Sequence, residues 1–168
     1  MEIRDERDED REAIRRVHLD AFGGDVEVRL VDLLRGRGKA VVSLVAVEGG
    51  DVVGHVLFSP VSIDGGATHR ALGLAPVGVL PAFQRVGIGS GLIREGLARC
   101  ARAGWDLVVL VGDPAYYARF GFHAAKQHGL DNEYGVNDEF MVLELHPGSL
   151  DRARGLVRYQ PEFTEVGC

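Results

Sequence analysis

An α+β domain built on a mixed, mostly antiparallel sheet is predicted by three features of the sequence. Two hairpin turns, Glu48-Gly49-Gly50-Asp51 and Asp64-Gly65-Gly66, separate apolar runs in the first half of the chain. Later, an apolar run over 71–80 leads through a glycine-rich turn into a helical pattern over 87–103. A nearly continuous apolar run over 106–111 follows, as expected of a strand buried on both faces, so these three segments form one parallel, right-handed crossover. Only one such crossover is visible, and antiparallel strands precede it.

The elements follow in order. Residues 2–4 form a short strand, and Asp8 caps a helix running from Glu9 to about Phe22, with Ala13, Ile14, Val17, Ala21 and Phe22 inward. Gly23-Gly24 breaks it, and Asp25 opens a second helix with Val26, Leu30, Leu33 and Leu34 inward, ended by Gly36 and Gly38. Strands 41–47 and 52–59 flank the first hairpin turn, and the second turn returns the chain into the strand 71–80. The helix 87–103 turns Ile88, Leu92, Leu97, Cys100 and Ala101 to the core and stops at Gly104. Asp113 caps a short helix that starts at Pro114, carries Tyr116 and Tyr117, and ends at Gly121. A strand over 139–145, a short helix capped by Ser149 and an edge strand over 156–159 complete the chain.

The chain has 168 residues, which suits one domain with an ordinary core. With 19 basic against 25 acidic residues it carries a net charge of −6, which excludes the basic face a nucleic-acid partner requires. No apolar run reaches membrane-spanning length, and the amino end does not read as a signal peptide, so the expected compartment is the cytoplasm. Two cysteines, Cys100 and Cys168, make no disulfide framework, and no His or Cys spacing suggests a metal site.

The turn before the helix 87–103 is where chemistry is expected. A helix amino end presents unpaired N–H groups and the positive pole of the helix dipole, and glycines let a phosphate come close. A P-loop requires Lys-Ser or Lys-Thr after its last glycine, whereas Gly89 is followed by Ser90-Gly91. The dinucleotide-binding spacing also fails, because Leu92 stands where its third glycine belongs and no ribose-binding acid follows.

The segment Val77-Gly78-Val79-Leu80-Pro81, with Gln84-Arg85-Val86-Gly87-Ile88-Gly89 after it, resembles the GNAT superfamily of N-acetyltransferases. Tyr117-Ala118-Arg119-Phe120-Gly121-Phe122 matches a second family motif at the right separation. The resemblance covers about residues 2–146, leaving 147–168 as an extension that suggests an added edge or a homodimer contact. It implies one N-acetyltransferase domain over 1–168, with helices on both faces of a central sheet and one splayed strand pair. It implies acetyl-CoA as cosubstrate, lying between the strands that end near Leu80 and Val111. The backbone of Arg85, Val86, Gly87, Ile88, Gly89 and Ser90 is then the diphosphate cradle, with the Arg85 side chain as an added contact. Val77, Gly78 and Val79 pair with the pantetheine, freed by a bulge for which Gly78 and Pro81 are the suitable features, and an N–H near Val79 faces the thioester oxygen.

Tyr117 falls where the family places the acid that protonates the departing thiolate, and a phenol of ordinary pKa, ~10, carries the needed proton. Tyr116 points elsewhere and is read as packing or substrate wall. Gly112-Asp113-Pro114 departs from the asparagine many relatives carry there. A glutamate on the central strand is common in the superfamily, but 71–80 has no acid, so the general base is open among His55, His123 and the acids 131, 133, 138 and 139. Gly23-Gly24, the loop near Asp25 and 128–137 are the expected acceptor walls. The acceptor is an amine on a small molecule, a protein terminus or a lysine. The rival readings are a non-catalytic acyl-CoA-binding module and a dinucleotide-binding protein.

Overall fold

Gly49 and Gly50 both take left-handed backbone angles (φ 59° and 87°), and Glu48 pairs with Asp51 across them, so the first predicted hairpin closes on the two-residue turn its sequence demands. The structure, a computed structural model, describes residues 1–65 and 69–168; Gly66 of the second predicted turn lies outside the described residues. The chain forms two compact units. The first comprises Met1–Ser59, Ala75–Arg99 and Pro161–Cys168, and the second comprises Pro60–Leu74 and Cys100–Gln160.

The strands β1 (Glu2–Asp5), β2 (Val42–Glu48), β3 (Asp51–Ile63) and β4 (Ala71–Val79) follow one another in the sheet, with β1–β2 and β2–β3 antiparallel; β1, β2, β3 up to Ser59 and β4 from Ala75 belong to the first unit. Helices α1 (Arg11–Phe22) and α2 (Val26–Gly36) bury Ile14, Val17, Val28, Leu30, Val31 and Leu34. Helix α3 (Ile88–Arg102) packs closely on β3 because position 96 is glycine: a β-carbon there would lie 2.4 Å from the Phe58 ring. Asp8 does not cap α1. Asp10 occupies the N-cap position without a side-chain bond into the helix; its carboxylate accepts from the Arg7 N–H at 2.7 Å and from Arg4 at 2.7 Å. Phe22, expected inward, is 47% exposed, while His18 joins Ile14 and Val17 as a buried residue of α1.

In the second unit, β5 (Leu107–Val111) runs parallel to β4 as predicted, with Ala71–Gly73 in register with Leu107–Val109. The ladder records this register over three residues although β4 itself runs on to Val79. The residue inside β4 that cannot donate to a ladder is Pro76, rather than the expected Gly78 or Pro81. Helix α4 (Pro114–Tyr117) is capped by Asp113, whose Oδ1 accepts from the Ala115 N–H at 3.0 Å. The short strands β6 (His123–Ala124) and β7 (Leu130–Asn132) precede β8 (Phe140–Glu144), which is antiparallel to β5 and to β6.

Two corrections concern the tail. β9 (Gly155–Arg158) is not an edge: it pairs antiparallel with β3 at Ser62 and Ile63 and parallel with β7, a second parallel pair beyond the predicted crossover. Ser149 does not cap its turn; Gly148 holds that position, and the Ser149 hydroxyl donates back to His146 O at 2.8 Å. Val61, Ala71, Leu107, Val109, Phe140, Val142 and Val157 form this unit's core. The closing helix α5 (Pro161–Glu165) belongs to the first unit, where buried Glu162 accepts from Lys39 and Arg37, each at 2.8 Å.

Candidate active site

The elbow leaving β4 is built by its side chains and its backbone together. Pro81 starts a 3-10 turn over Pro81–Phe83, and the Gln84 amide donates back to Val79 O at 2.9 Å, tying the loop to the strand it has left. Arg85 then adopts φ 64°, the one positive φ of a non-glycine residue among the described residues, and Gly87 follows at φ 92°. A left-handed non-glycine residue costs on the order of 1–3 kcal/mol, and such strain gathers at ligand clamps. Alternation of this kind turns successive N–H groups into anion-binding concavities. Val86 at the tip is 72% exposed, and a side chain at Gly87 would meet nothing within 4 Å. Ile88, Gly89 and Ser90 form the first turn of α3, whose first helical bond runs from Gly91 N–H to Gly87 O at 3.0 Å. The elbow is therefore an open, outward-facing cradle at the amino end of a four-turn helix.

Val77, Gly78 and Val79 are the last three residues of β4. Gly78 is buried against α1: a β-carbon there would stand 2.9 Å from His18 Nδ1 and 3.4 Å from the Phe22 ring. Gly54 on β3 is in similar contact, 3.0 Å from Leu92 and 3.4 Å from Gly78 O. The end of β4 is thus closely covered on its helix side, with glycine where any side chain would collide.

Tyr117 lies in the second unit, half-buried, edge-on to Tyr116 at 5.0 Å and to Phe122 at 6.0 Å between ring centroids. Burial first, then the nearby Tyr116 and Asp113, pushes its phenol up to about 12, so it is a firmly protonated donor rather than one of ordinary pKa. Gly112 explains the departure from the family asparagine: a β-carbon there would sit 2.4 Å from the Tyr117 ring. Tyr116 faces another way, with the Arg119 guanidinium 4.5 Å above its ring and Phe120 at 5.4 Å, as expected of a packing residue.

Among the candidate bases, His55 is fully buried, while His123 is exposed. Three of the acids after Phe122 serve the local fold: Glu133 accepts from the Tyr159 N–H at 3.1 Å, Asp138 pairs with Lys126 at 2.7 Å, and Glu139 accepts from the Asn137 N–H at 3.3 Å. His55 belongs to a connected set that sequence reasoning missed. Its Nδ1 lies 2.8 Å from His18 Nε2, and its Nε2 lies 2.8 Å from Ser43 Oγ. The Ser43 hydroxyl bonds Glu6, which also accepts from Arg35 Nε at 2.9 Å. His18 was legible as a helix-face position, four residues after Ile14 and one after Val17. Among the described residues no group of three or more His, Cys, Asp or Glu is placed to hold a metal ion.

A family model described as an acetyltransferase (GNAT) domain matches residues 2–125. The chain belongs to the GNAT family. YhbS of Escherichia coli K12, described as an uncharacterized N-acetyltransferase, is 37% identical over 145 residues, covering 85% of this GNAT chain and 86% of YhbS. The crystal structure of E. coli YhbS in complex with CoA superposes with a TM-score of 0.92 at 35% identity, over 97% of this chain and 91% of that one. A GNAT acetyltransferase from Brucella melitensis in complex with acetyl-CoA gives a TM-score of 0.81 at 43% identity, over 96% and 97% of the two chains. The mixed, mostly antiparallel architecture predicted above is the one these GNAT structures share.

Proposed function

We propose that this GNAT protein transfers an acetyl group from acetyl-CoA to the primary amine of an acceptor by direct attack in a ternary complex. The observation that carries the reading is the open elbow in which Arg85 and Gly87 both hold left-handed angles at the start of α3. Relatives of this chain are seen with CoA and with acetyl-CoA, which agrees with that fit. When bound, acetyl-CoA supplies the thioester carbonyl that an amine attacks.

The chain's own groups have distinct tasks. The N–H groups of Arg85, Val86, Gly87, Ile88, Gly89 and Ser90 hold the diphosphate, where the helix dipole and the Arg85 guanidinium offset its charge. The backbone of Val77, Gly78 and Val79 pairs with the pantetheine amides as a strand would. The Gln84 amide anchors the end of β4 by donating to Val79 O, and the Val79 N–H is the donor assigned to the oxyanion. Tyr117 gives its proton to the departing thiolate; with its pKa at about 12 it is fully protonated at neutral pH and poorly disposed to remain phenolate. The acceptor is a small-molecule amine, a protein terminus or a lysine.

Calorimetry with acetyl-CoA and free-thiol release over a panel of amines test this reading. Gly87→Glu puts a carboxylate into the cradle, where the side chain has open space, so acetyl-CoA affinity falls at least tenfold while the fold is retained. Unchanged affinity refutes the cradle. The absence of thiol release with every amine tried, alongside intact acetyl-CoA binding, refutes the transferase and leaves a binding module.

A further inference from the structure

The set around His55 is a single directional chain of hydrogen bonds. Glu6 is held ionised: burial alone would raise its pKa, but the hydrogen bonds on its His55 and Ser43 side and the Arg35 charge outweigh that and bring it down to about 2. His55 Nε2 is 3.8 Å from Glu6 Oε1 but 2.8 Å from Ser43 Oγ, so the hydroxyl is its direct partner. A carboxylate only accepts, so Ser43 must donate to Glu6, and its oxygen must then receive the N–H of His55 Nε2. Burial keeps His55 neutral, which leaves its Nδ1 as an acceptor that can only be filled by the N–H of His18 Nε2. His18 is neutral too, with its pKa brought down to about 3, first by burial and then by His55 and Arg35. With both rings neutral, this alignment ends in a bare lone pair on His18 Nδ1.

That atom is buried, has no hydrogen-bond partner, and lies where a β-carbon on Gly78 would be 2.9 Å away. Gly78 is one of the three β4 residues to which the transferase reading assigns the thioester arm. Phe22 stacks on the His18 ring at 5.9 Å and is 47% exposed, which makes it the side chain an acceptor would displace to reach Nδ1.

We propose that His18, His55, Ser43 and Glu6 form a proton relay that takes up the proton shed by the attacking amine, an assignment that rests on the acetyltransferase reading above. As the C–N bond forms, the amine proton passes to His18 Nδ1. The Nε2 proton of His18 moves to His55 Nδ1, that of His55 Nε2 to Ser43 Oγ, and the hydroxyl proton to Glu6 Oε1. Each ring ends neutral with its tautomer exchanged, so no imidazolium is left buried, and Asp32 still pairs with Arg35 at 3.3 Å once Glu6 is neutralised. The C–S bond breaks with Tyr117 protonating the thiolate. When product leaves, the hops reverse and His18 Nδ1 gives the proton to water while the Tyr117 phenolate takes one back from water, so relay and phenol both return to their starting states. The relay thus occupies the role for which β4 offers no acid.

Two measurements test the relay, one of them independent of turnover. In protein labelled with nitrogen-15 at histidine, the NMR shifts of His18 are expected to show a protonated Nε2 and an unprotonated Nδ1 throughout pH 5–8; a proton on Nδ1, or an imidazolium, overturns the proposal. In kinetics, His18→Phe preserves the stack on Phe22, and Ser43→Ala cuts the chain midway. Each is expected to lower kcat about 100-fold at pH 7 with acetyl-CoA affinity unchanged, while Ser43→Thr restores the rate. The deficit narrows at alkaline pH, where hydroxide takes over the relay's task. A loss equal at every pH marks a structural role and overturns the proposal, as does an undiminished kcat. If no amine accepts acetyl while acetyl-CoA binds, the transferase reading has failed on its own, and the NMR arm still decides the alignment.

Discussion

Replacing Gly78 by alanine is expected to disable the end of β4 without adding any polar group. The new methyl would lie 2.9 Å from His18 Nδ1, 3.2 Å from its Cε1 and 3.4 Å from Phe22 Cε2, so the ring must move by several tenths of an ångström. It has little room: on its far side Nε2 already sits 2.8 Å from His55 Nδ1, and both rings are fully buried. Overpacking of this kind costs about 1–3 kcal/mol. For a chain of this size that lowers Tm by roughly 2–4 °C per kcal/mol. Two other glycines supply controls. Gly54→Ala presses on Leu92 Cδ1 at 3.0 Å, the end of a flexible side chain, and is expected to cost less than Gly78→Ala. Gly87→Ala meets nothing within 4 Å and is penalised only by its φ of 92°, by about 1 kcal/mol. Thermal and denaturant unfolding of the three variants, with thiol release measured beside them, gives the order. Gly78→Ala as stable and as active as the parent protein would refute the tight contact with His18 and everything built on it.

Acid should weaken the first unit earlier than carboxylates alone would. The folded pKa values of His18 (about 3) and Glu6 (about 2) lie below their unfolded values, so the stability they confer is complete above pH ~6.5. It is lost as pH falls, His18 contributing first, by roughly 3 kcal/mol at pH 4, and Glu6 from about pH 4.5 downward. Denaturant midpoints from pH 4 to 7 should therefore slope in the parent protein and flatten in His18→Phe; equal slopes would contradict a neutral buried His18. Gly112→Ala should displace the Tyr117 ring, 2.4 Å from the new methyl, and lower kcat at least tenfold with acetyl-CoA affinity little changed. Tyr117→Phe leaves that packing intact, and an undiminished kcat in both variants would remove Tyr117 from the chemistry.

The cradle was legible because its signal is local: a proline that ends a strand, two glycines and a helix start lie within nine residues, and each has its own conformational rule. The same holds for the Glu48–Asp51 turn and the Asp113 cap. What escaped the sequence was fixed by partners far along the chain. β9 reads as an edge by its polar flanks, yet it is enclosed because β7 and β3 both pair with it. α1 begins after Asp10 rather than at Glu9, since residues 8–10 form a 3-10 turn in which Asp10 accepts from the Arg7 N–H and from Arg4 on β1. Phe22 reads as core by hydrophobicity, yet the helix buries His18, one residue after Val17, where His55, thirty-seven residues on, meets its Nε2.

The missing acid on β4 and the buried histidine on α1 are one structural fact seen from two sides. A glutamate at position 78 would direct its side chain from a β-carbon 2.9 Å from His18 Nδ1, so the strand cannot carry an acid there while that ring is in place. In the proposed relay the acid is Glu6, just after β1, joined to His18 through Ser43 and His55. Gly112 repeats the arrangement beside Tyr117, where the absence of a side chain makes room for a ring from the next helix. In both places a glycine stands where an aromatic ring from another element fills the space. A relative with a larger residue at 78 should therefore lack the histidine at 18. A chain carrying both would have to hold that ring elsewhere, and its structure would show His55 without its partner.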